Sequence, residues 1–128
     1  MNESPIRVLV VDDHRIVREG IRSLMEEVED IEVVGEASNG FESIDLVESL
    51  VPDVVLMDLV MPQMDGLEAT RQITEKHPEI RILVLTSFIT DDKVFPAIKA
   101  GAMGYLLKDT GSNELIDAIR KVYGGKFS

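Results

Sequence analysis

The chain has 128 residues, 45% of them hydrophobic and 29% charged, which is typical of one folded domain with its own core. It contains no cysteine, which excludes disulfides, thiol catalysis and cysteine-based zinc sites and is consistent with a reducing cytoplasm. Thirteen basic against 24 acidic residues give a net charge of −11, so the surface should repel nucleic acid and anionic membranes, and any DNA-binding part should lie elsewhere.

Five short apolar runs recur along the chain at fairly even intervals. They are rich in Val, Ile and Leu, which predicts strands buried on both faces, and each is far too short to span a bilayer. The runs are Val8–Val11, Ile31–Val34, Val54–Met57, Ile82–Leu85 and Tyr105–Leu107. The N-terminal stretch MNESPIRVLVVDD also lacks the basic segment and long apolar segment of a signal peptide.

The segments between these runs are amphipathic and predict helices. The predicted apolar face of the first helix comprises Val17, Ile21, Leu24 and Val28, and that of the second comprises Phe41, Ile44, Val47 and Val51. The third helix is predicted from Leu67 to about His77, and the fifth carries Leu115, Ile116, Ile119 and Val122 before Gly124-Gly125. Pro78 and the two glycines are the expected stop signals.

The fourth helical segment is interrupted by a proline. Asp91–Gly101 has a helical pattern, but Pro96 stands inside it. Proline in a helix interior removes a backbone donor and costs roughly 3 kcal/mol. We therefore expect this helix to be short, kinked or displaced, and easier to shift than its neighbours.

Strand and helix alternate five times, which predicts an α/β fold with a doubly wound parallel sheet covered by helices on both faces. Two strand orders are common in such sheets, and five strands favour the flavodoxin-like order 2-1-3-4-5. We assign residues 1–124 to this domain and 125–128 to the beginning of a linker.

Three carboxylates are predicted to meet at the crevice beside the first and third strands, where chemistry gathers in such sheets. Asp12 and Asp13 follow strand 1, and Asp58 follows strand 3. Each pair of like charges at ~4 Å costs about 4 kcal/mol at an intermediate dielectric, so either the pKa values rise or a cation neutralises the site. An Asp-Asp pair alone is common at a helix start, but together with Asp58 it favours a metal site. Oxygen ligands favour Mg²⁺.

The fourth and fifth strands supply a hydroxyl and an ammonium to the same edge. Strand 4 ends in Thr86-Ser87, and strand 5 is followed by Lys108. Singly, such residues are usually surface residues, but beside a metal-bound carboxylate they form a pocket for a phosphoryl group. In that pocket Lys108 would balance charge, Thr86 would donate a hydrogen bond and Asp58 would be the acceptor.

The motifs VVDDH, VVLMDLVMPQMDG, LTS and GYLLKD together resemble the receiver domain of bacterial two-component response regulators, over nearly the whole chain. DDH and GYLLKD indicate the subfamily with a C-terminal LuxR/NarL-type helix-turn-helix, and DIEVVGEASNG and LTSFITDD are most similar to LiaR and VraR-type regulators. The resemblance implies a cytoplasmic signalling switch rather than an enzyme. Its partners would be a sensor histidine kinase, a second copy of the phosphorylated chain, and DNA bound only through a C-terminal domain missing from this chain.

The resemblance also implies residue roles. Asp58 would accept the phosphoryl group, and Mg²⁺ (or Mn²⁺) would be held by Asp12, Asp13, Asp58 and the backbone carbonyl of Val60. Thr86 and Lys108 match the family's hydroxyl and lysine. Tyr105 matches the switch aromatic that swings inward when Thr86 moves toward the phosphate, and the fourth helix belongs to the output face.

Three positions depart from many receivers. Val60 and Phe88 are apolar where polar residues help to orient a hydrolytic water, so we expect slow dephosphorylation, although both could simply pack on loops. Asp109 replaces a proline that often follows the lysine through a cis bond, so we expect a trans bond.

Two other functions are less consistent with the sequence than the signalling switch. A Mg²⁺-dependent phosphatase of the haloacid dehalogenase class would need Asp-x-Asp after the first strand, whereas this chain has adjacent aspartates. Binding of FMN in the flavodoxin manner would place Asp12 and Asp13 against the flavin phosphate, which is unfavourable. His14 and His77 are single histidines at helix ends, and we expect no metal or phosphohistidine role for either. Exposed apolar residues on the first and fifth helices could form a dimer face.

Overall fold

The computed structural model describes residues 4–87 and 92–125, in which five strands alternate with five helices. The strands are β1 (Ile6–Val11), β2 (Ile31–Ala37), β3 (Val54–Asp58), β4 (Arg81–Thr86) and β5 (Gly104–Leu107). The helices are α1 (Arg15–Glu26), α2 (Gly40–Leu50), α3 (Gly66–Lys76), α4 (Val94–Lys99) and α5 (Ser112–Tyr123). Every predicted strand and helix is therefore present.

The five strands form one all-parallel sheet in the order β2-β1-β3-β4-β5, which confirms the predicted fold class. β2 pairs with one side of β1, and β3 pairs with the other side, so the strand order reverses between β1 and β3. Because all strands are parallel, their carboxyl ends lie at the same edge. The sheet thus presents the residues after β1, β3, β4 and β5 on one side of the molecule.

The sheet is buried on both faces, because successive side chains of a strand point to opposite sides. On one side, Leu9 and Val55 pack with residues of α2, α3 and α4 such as Val47 and Ile73. On the other side, residues of the same strands pack with α1 and α5. The members of this second cluster include Val8, Val10, Val54, Leu56, Ile21, Met25, Ile119 and Val122. This three-layer core holds the strand ends rigidly beneath the site.

The predicted apolar face of α2 is wrong at its two ends. Ile44 and Val47 pack on the core, but Phe41 and Val51 are exposed. The face that α2 buries instead uses small residues, Gly40 and Ser43, since Gly40 lies against Met64 so closely that a Cβ there would be 2.6 Å from its side chain. A pattern based only on large apolar residues misses such a close approach between backbones.

The fourth helix is short, as predicted, but the expected reason is wrong. The helix begins at Val94, so Pro96 lies in its first turn rather than in its interior. Backbone N–H groups in the first turn have no acceptor within the helix, and proline therefore loses no hydrogen bond there. Pro96 thus lies at a position where a helix tolerates proline. Asp91, where the predicted helix began, lies outside the described residues.

The remaining elements agree closely with the sequence pattern. Asn39 and Asp65 cap α2 and α3 by accepting hydrogen bonds from the backbone N–H groups of Glu42 and Glu68. The peptide bond before Asp109 is trans, as expected, since the described part of the chain contains no cis peptide bond. Over residues 4–87 and 92–125 no helix has the length and apolar character needed to cross a bilayer.

Candidate functional site

The carboxyl edge of the sheet carries a cleft of about 460 Å³, lined by Asp13, His14, Asp58, Leu59, Val60, Thr86, Ser87 and Lys108. Asp58 and Thr86 are the last residues of β3 and β4, and Lys108 directly follows β5. Asp12 follows β1 and contacts Lys108 at the base of the cleft. The structure therefore brings together the acids, the hydroxyl and the lysine that the sequence placed at four different strand ends.

Asp58 is buried in the wall of the cleft, with 4% of its surface accessible. The backbone N–H of Val60 donates a hydrogen bond to its carboxylate, and Lys108 Nζ lies 3.1 Å from Oδ1. Burial, and next the charge of Asp12, raise the pKa of Asp58 from 3.8 to about 6 against the opposing effect of Lys108. The carboxylate is therefore ionised at neutral pH but held at a cost in free energy.

Lys108 bridges the two buried acids. Its Nζ lies 2.9 Å from Asp12 Oδ2 as well as 3.1 Å from Asp58 Oδ1. Burial works against its charge, but the hydrogen bond and charges of the two carboxylates outweigh burial and raise the pKa of Lys108. Its backbone N–H also donates to the carbonyl of Thr86, which ties the end of β5 to the end of β4. The ammonium is thereby fixed in place between the carboxylates.

The β1–α1 loop holds the other acids. Asp12 is almost fully buried, Asp13 is partly exposed, and the carbonyl of Asp12 accepts a hydrogen bond from Arg18 Nη1 on α1 at 2.7 Å. Oxygen atoms of Asp12, Asp13 and Asp58 and a ring nitrogen of His14 all lie within 4.8 Å of one another. The loop therefore gathers four groups of the kind that bind metal ions.

The site fits a hard divalent cation. Lys108 contacts two of the three carboxylates, those of Asp12 and Asp58, and Asp58 Oδ2 and Asp13 Oδ1 are buried atoms without a hydrogen-bond partner among the described residues. An uncompensated buried carboxylate oxygen is costly, and a cation bound by carboxylates removes that cost. Mg²⁺, which prefers oxygen ligands and retains several waters, suits this set of donors.

Val60 and the two predicted switch residues, Thr86 and Tyr105, lie in different surroundings. Val60 is exposed at the mouth of the cleft, and the side chain of Thr86 is buried at its wall. Tyr105 pairs with Val84 across β4 and β5 and is 37% exposed, so it stands on the outer part of the sheet edge rather than in the cleft. Phe88, the second residue expected to slow dephosphorylation, lies outside the described residues.

Sequence reasoning missed how closely the loop after β3 returns to the site. The N–H of Gly66 donates to the carbonyl of Leu59, and a Cβ at Gly66 would lie 2.0 Å from the carbonyl oxygen of Asp58. Only glycine allows that approach. The Asp65-Gly66 pair indicated the start of α3 in the sequence, but nothing indicated that this glycine also packs against the backbone of Asp58. Arg18 and His14 were likewise not predicted to contact Asp12.

The family model and the relatives that match this chain all belong to one family. Residues 8–120 match the model of the response regulator receiver domain. The chain is 54% identical over 121 residues to the transcriptional regulatory protein LiaR of Bacillus subtilis, an alignment that covers 94% of this chain and 57% of LiaR. It is 50% identical over 121 residues to the response regulator protein VraR of Staphylococcus aureus, covering 94% of this chain and 58% of VraR.

Solved structures agree with these relatives. A LuxR-family two-component response regulator from an Aurantimonas species superposes with a TM-score of 0.89 at 40% identity, over 96% of this chain and 88% of that one. The signal receiver domain of the putative response regulator NarL from Mycobacterium tuberculosis gives a TM-score of 0.91 at 32% identity, over 97% and 100% of the two chains. The present chain spans somewhat more than half the length of LiaR and VraR.

Proposed function

Because this chain belongs to the response regulator receiver domain family, in its LuxR/NarL-type branch, we propose that Asp58 accepts a phosphoryl group from a sensor histidine kinase. The single observation that carries this proposal is the state of the Asp58 carboxylate. It is buried, ionised at neutral pH, fixed by Lys108, and has one oxygen, Oδ2, without a hydrogen-bond partner in the part of the chain that the structure describes.

The proposed transfer is a displacement at phosphorus. A carboxylate oxygen of Asp58 forms the new O–P bond while the N–P bond of the kinase phosphohistidine breaks and its electron pair returns to the imidazole. Lys108 balances the charge of the incoming phosphoryl oxygens, and the hydroxyl of Thr86 donates to one of them. Asp12, Asp13, Asp58 and the backbone carbonyl of Val60 would hold Mg²⁺, which supplies further charge neutralisation when bound.

The proposed output is a change of association. Once Thr86 moves toward the phosphoryl group, Tyr105 and α4 shift, and the altered surface favours a dimer. A DNA-binding domain would follow residue 124, since LiaR is a transcriptional regulatory protein and is considerably longer than this chain. The net charge of −11 supports the proposal that a separate domain binds DNA, because an acidic domain repels the phosphate backbone.

The second candidate, a phosphatase acting through an aspartyl phosphate, is less well supported. Both functions use a phosphorylated aspartate, but a phosphatase releases phosphate from many substrate molecules, whereas a switch retains one phosphoryl group per chain. Here the acidic pair is adjacent, and no strand or helix beyond the ten elements stands over the cleft in residues 4–87 and 92–125.

Treatment with acetyl phosphate and Mg²⁺ tests the proposal. Mass spectrometry should show one added phosphoryl group per chain in the wild type and none in Asp58→Ala, and light scattering should show a larger mass only for the phosphorylated wild type. Asp45→Ala, which changes an exposed aspartate of α2, is the matched control and should behave as the wild type does. Sustained turnover of small phosphate esters, or phosphorylation of Asp58→Ala, would contradict the proposal.

Val60 is proposed to slow loss of the phosphoryl group. Its apolar side chain stands exposed at the mouth of the cleft and offers no hydrogen bond to an attacking water. Val60→Asn should therefore speed decay of the aspartyl phosphate roughly tenfold, equivalent to about 1.4 kcal/mol in the barrier. Decay is followed by quantifying phosphorylated protein after removal of acetyl phosphate. Val51→Asn, at an exposed valine that ends α2, should leave decay unchanged, and a slower or equal rate in Val60→Asn refutes the role.

A further inference from the structure

His14 places a ring nitrogen beside the acids of the site. It directly follows Asp12-Asp13 and precedes α1. Its Nδ1 lies 3.0 Å from Asp12 Oδ1 and 3.2 Å from Asp13 Oδ1, and it belongs with Asp58 to the group of donors within 4.8 Å of one another. The imidazole is also part of the cleft lining. His14 therefore adds a possible nitrogen ligand to a group whose other possible metal ligands are carboxylate oxygens.

The hydrogen bonds around His14 leave some of the neighbouring carboxylate oxygens without a donor. Asp12 Oδ1 accepts a hydrogen bond from the backbone N–H of His14 at 2.8 Å and is also within hydrogen-bond distance, 3.0 Å, of His14 Nδ1. A single ring N–H can serve one carboxylate well, and Asp13 Oδ1 makes no hydrogen bond within the described ranges although Nδ1 is 3.2 Å away. The side chain of Asp58, 5% exposed, also turns an unpartnered Oδ2 into the cleft. A cation would satisfy these oxygens together, whereas the imidazole by itself cannot.

We propose that His14 is a nitrogen ligand for divalent transition-metal ions at the carboxylate site, and that it raises the affinity of the site for ions such as Co²⁺ and Zn²⁺ relative to Mg²⁺. Adjacent ligands of an octahedral ion bound at about 2.1 Å lie about 3.0 Å apart, which is the spacing between Nδ1 and the two carboxylate oxygens. Imidazole nitrogen suits first-row transition metals, whereas Mg²⁺ prefers oxygen.

The inference deepens the proposed metal site and rests on it, and it gives His14 a role in metal selectivity. Removing the imidazole should weaken binding of a transition metal far more than binding of Mg²⁺, because only the former gains from nitrogen ligation. The backbone of the loop does not depend on the ring. The backbone N–H of His14 bonds Asp12, and Arg18 Nη1 bonds the Asp12 carbonyl, so His14→Ala keeps the loop in place.

The chain offers a matched control, since it contains two histidines and no cysteine. His77 follows α3 at the end of that helix remote from the site, and its Nε2 contacts Glu48 at 2.5 Å. A Co²⁺ titration of wild type, His14→Ala and His77→Ala, followed by visible absorption and by proton NMR, reports both affinity and ligation. Ring protons of a histidine bound to Co²⁺ shift far outside their ordinary range, and they can come only from one of two residues. A parallel calorimetric titration with Mg²⁺ completes the design.

We expect shifted ring protons in the wild type and in His77→Ala, and their loss in His14→Ala with affinity for Co²⁺ weakened about tenfold or more. Mg²⁺ affinity should change less than about twofold in both variants. Absence of shifted ring protons in the wild type, their persistence in His14→Ala, or their loss only in His77→Ala would overturn the inference. Failure of every variant to bind Mg²⁺ would instead count against the metal site of the proposed function, since the Co²⁺ spectra judge His14 separately.

Discussion

Asp58→Asn should make the metal-free protein more stable than the wild type by about 3 kcal/mol at neutral pH. The fold raises the pKa of Asp58 from 3.8 to about 6, chiefly through burial and then through the charge of Asp12. The folded wild type therefore holds a proton on this carboxyl more tightly than the unfolded chain does. Its free energy of unfolding falls as the pH rises from about 4 to about 6, and above that range the full cost of the buried charge remains.

Asparagine retains the shape of the side chain without the charge, so the variant escapes this cost. The two proteins should have equal stability below about pH 4, and the difference should grow until about pH 6, which urea unfolding at a series of pH values measures directly. Asp45→Asn, which changes an exposed position of α2 and keeps Asp58, should match the free energy of unfolding of the wild type at every pH. A loss of stability in Asp58→Asn, or a gain that does not vary with pH, would contradict the assignment of a strained buried charge at Asp58.

Addition of Mg²⁺ should narrow the difference between Asp58→Asn and the wild type. Binding to the folded state stabilises a protein by RT ln(1 + L/Kd), where L is the free ligand concentration, and only the wild type keeps the carboxylate that would bind the cation. The variant should also fail to form an aspartyl phosphate. Function and stability are thus expected to change in opposite directions at this residue, which is common where an active group is held at a cost in the folded state.

Lys108→Met should have the opposite effect on stability. The ammonium lies 2.9 Å from Asp12 and 3.1 Å from Asp58, and it is the counter-charge that both buried acids share. Removing one partner of a buried ion pair leaves charges uncompensated and costs about 3 kcal/mol or more. We therefore expect the free energy of unfolding at neutral pH to fall by about that amount, and the pKa of Asp58 to rise further.

A double-mutant cycle identifies the cause. In an Asp58→Asn background, Lys108→Met should lower the free energy of unfolding by a smaller amount, because only one carboxylate, that of Asp12, then loses its counter-charge. Mg²⁺ should restore part of the stability lost in Lys108→Met, since it supplies positive charge to the same acids. Lys121→Met, at an exposed lysine in the last turn of α5, should be nearly neutral. An equal cost in both backgrounds would show that Lys108 acts through packing of its stem and not through its charge.

The sequence by itself determined the layout of the fold. The apolar runs are buried on both faces, and such runs alternating with amphipathic segments allow few arrangements other than a doubly wound parallel sheet. Val8 and Val54, for example, are fully buried and lie paired in neighbouring strands, as the predicted order requires. Residues at strand ends were also predictable, because parallel strands with the predicted order must bring Asp12, Asp58 and Lys108 to one edge.

The same reasoning failed where small residues or chain ends set the contacts. Gly40 brings the beginning of α2 against Met64 in a way that counting apolar residues does not reveal, and the exposed Val51 lies beyond the last residue of α2 in a left-handed conformation. Pro96 was assigned to a helix interior because its pattern began at Asp91, whereas α4 begins at Val94. Boundaries depend on which backbone groups find partners, and one sequence contains little information about that.

Only the tertiary structure decided which side chains of the site are in contact. Lys108 reaches two acids, one oxygen of Asp58 has no partner among the described residues, Gly66 lies against the backbone of Asp58, and His14 contacts two carboxylates. Each of these features depends on distances that the whole fold sets. Periodicity reports which face of an element is buried. The energy of a charge depends on distances of a few ångströms and on excluded water, which appear only when the strands have come together.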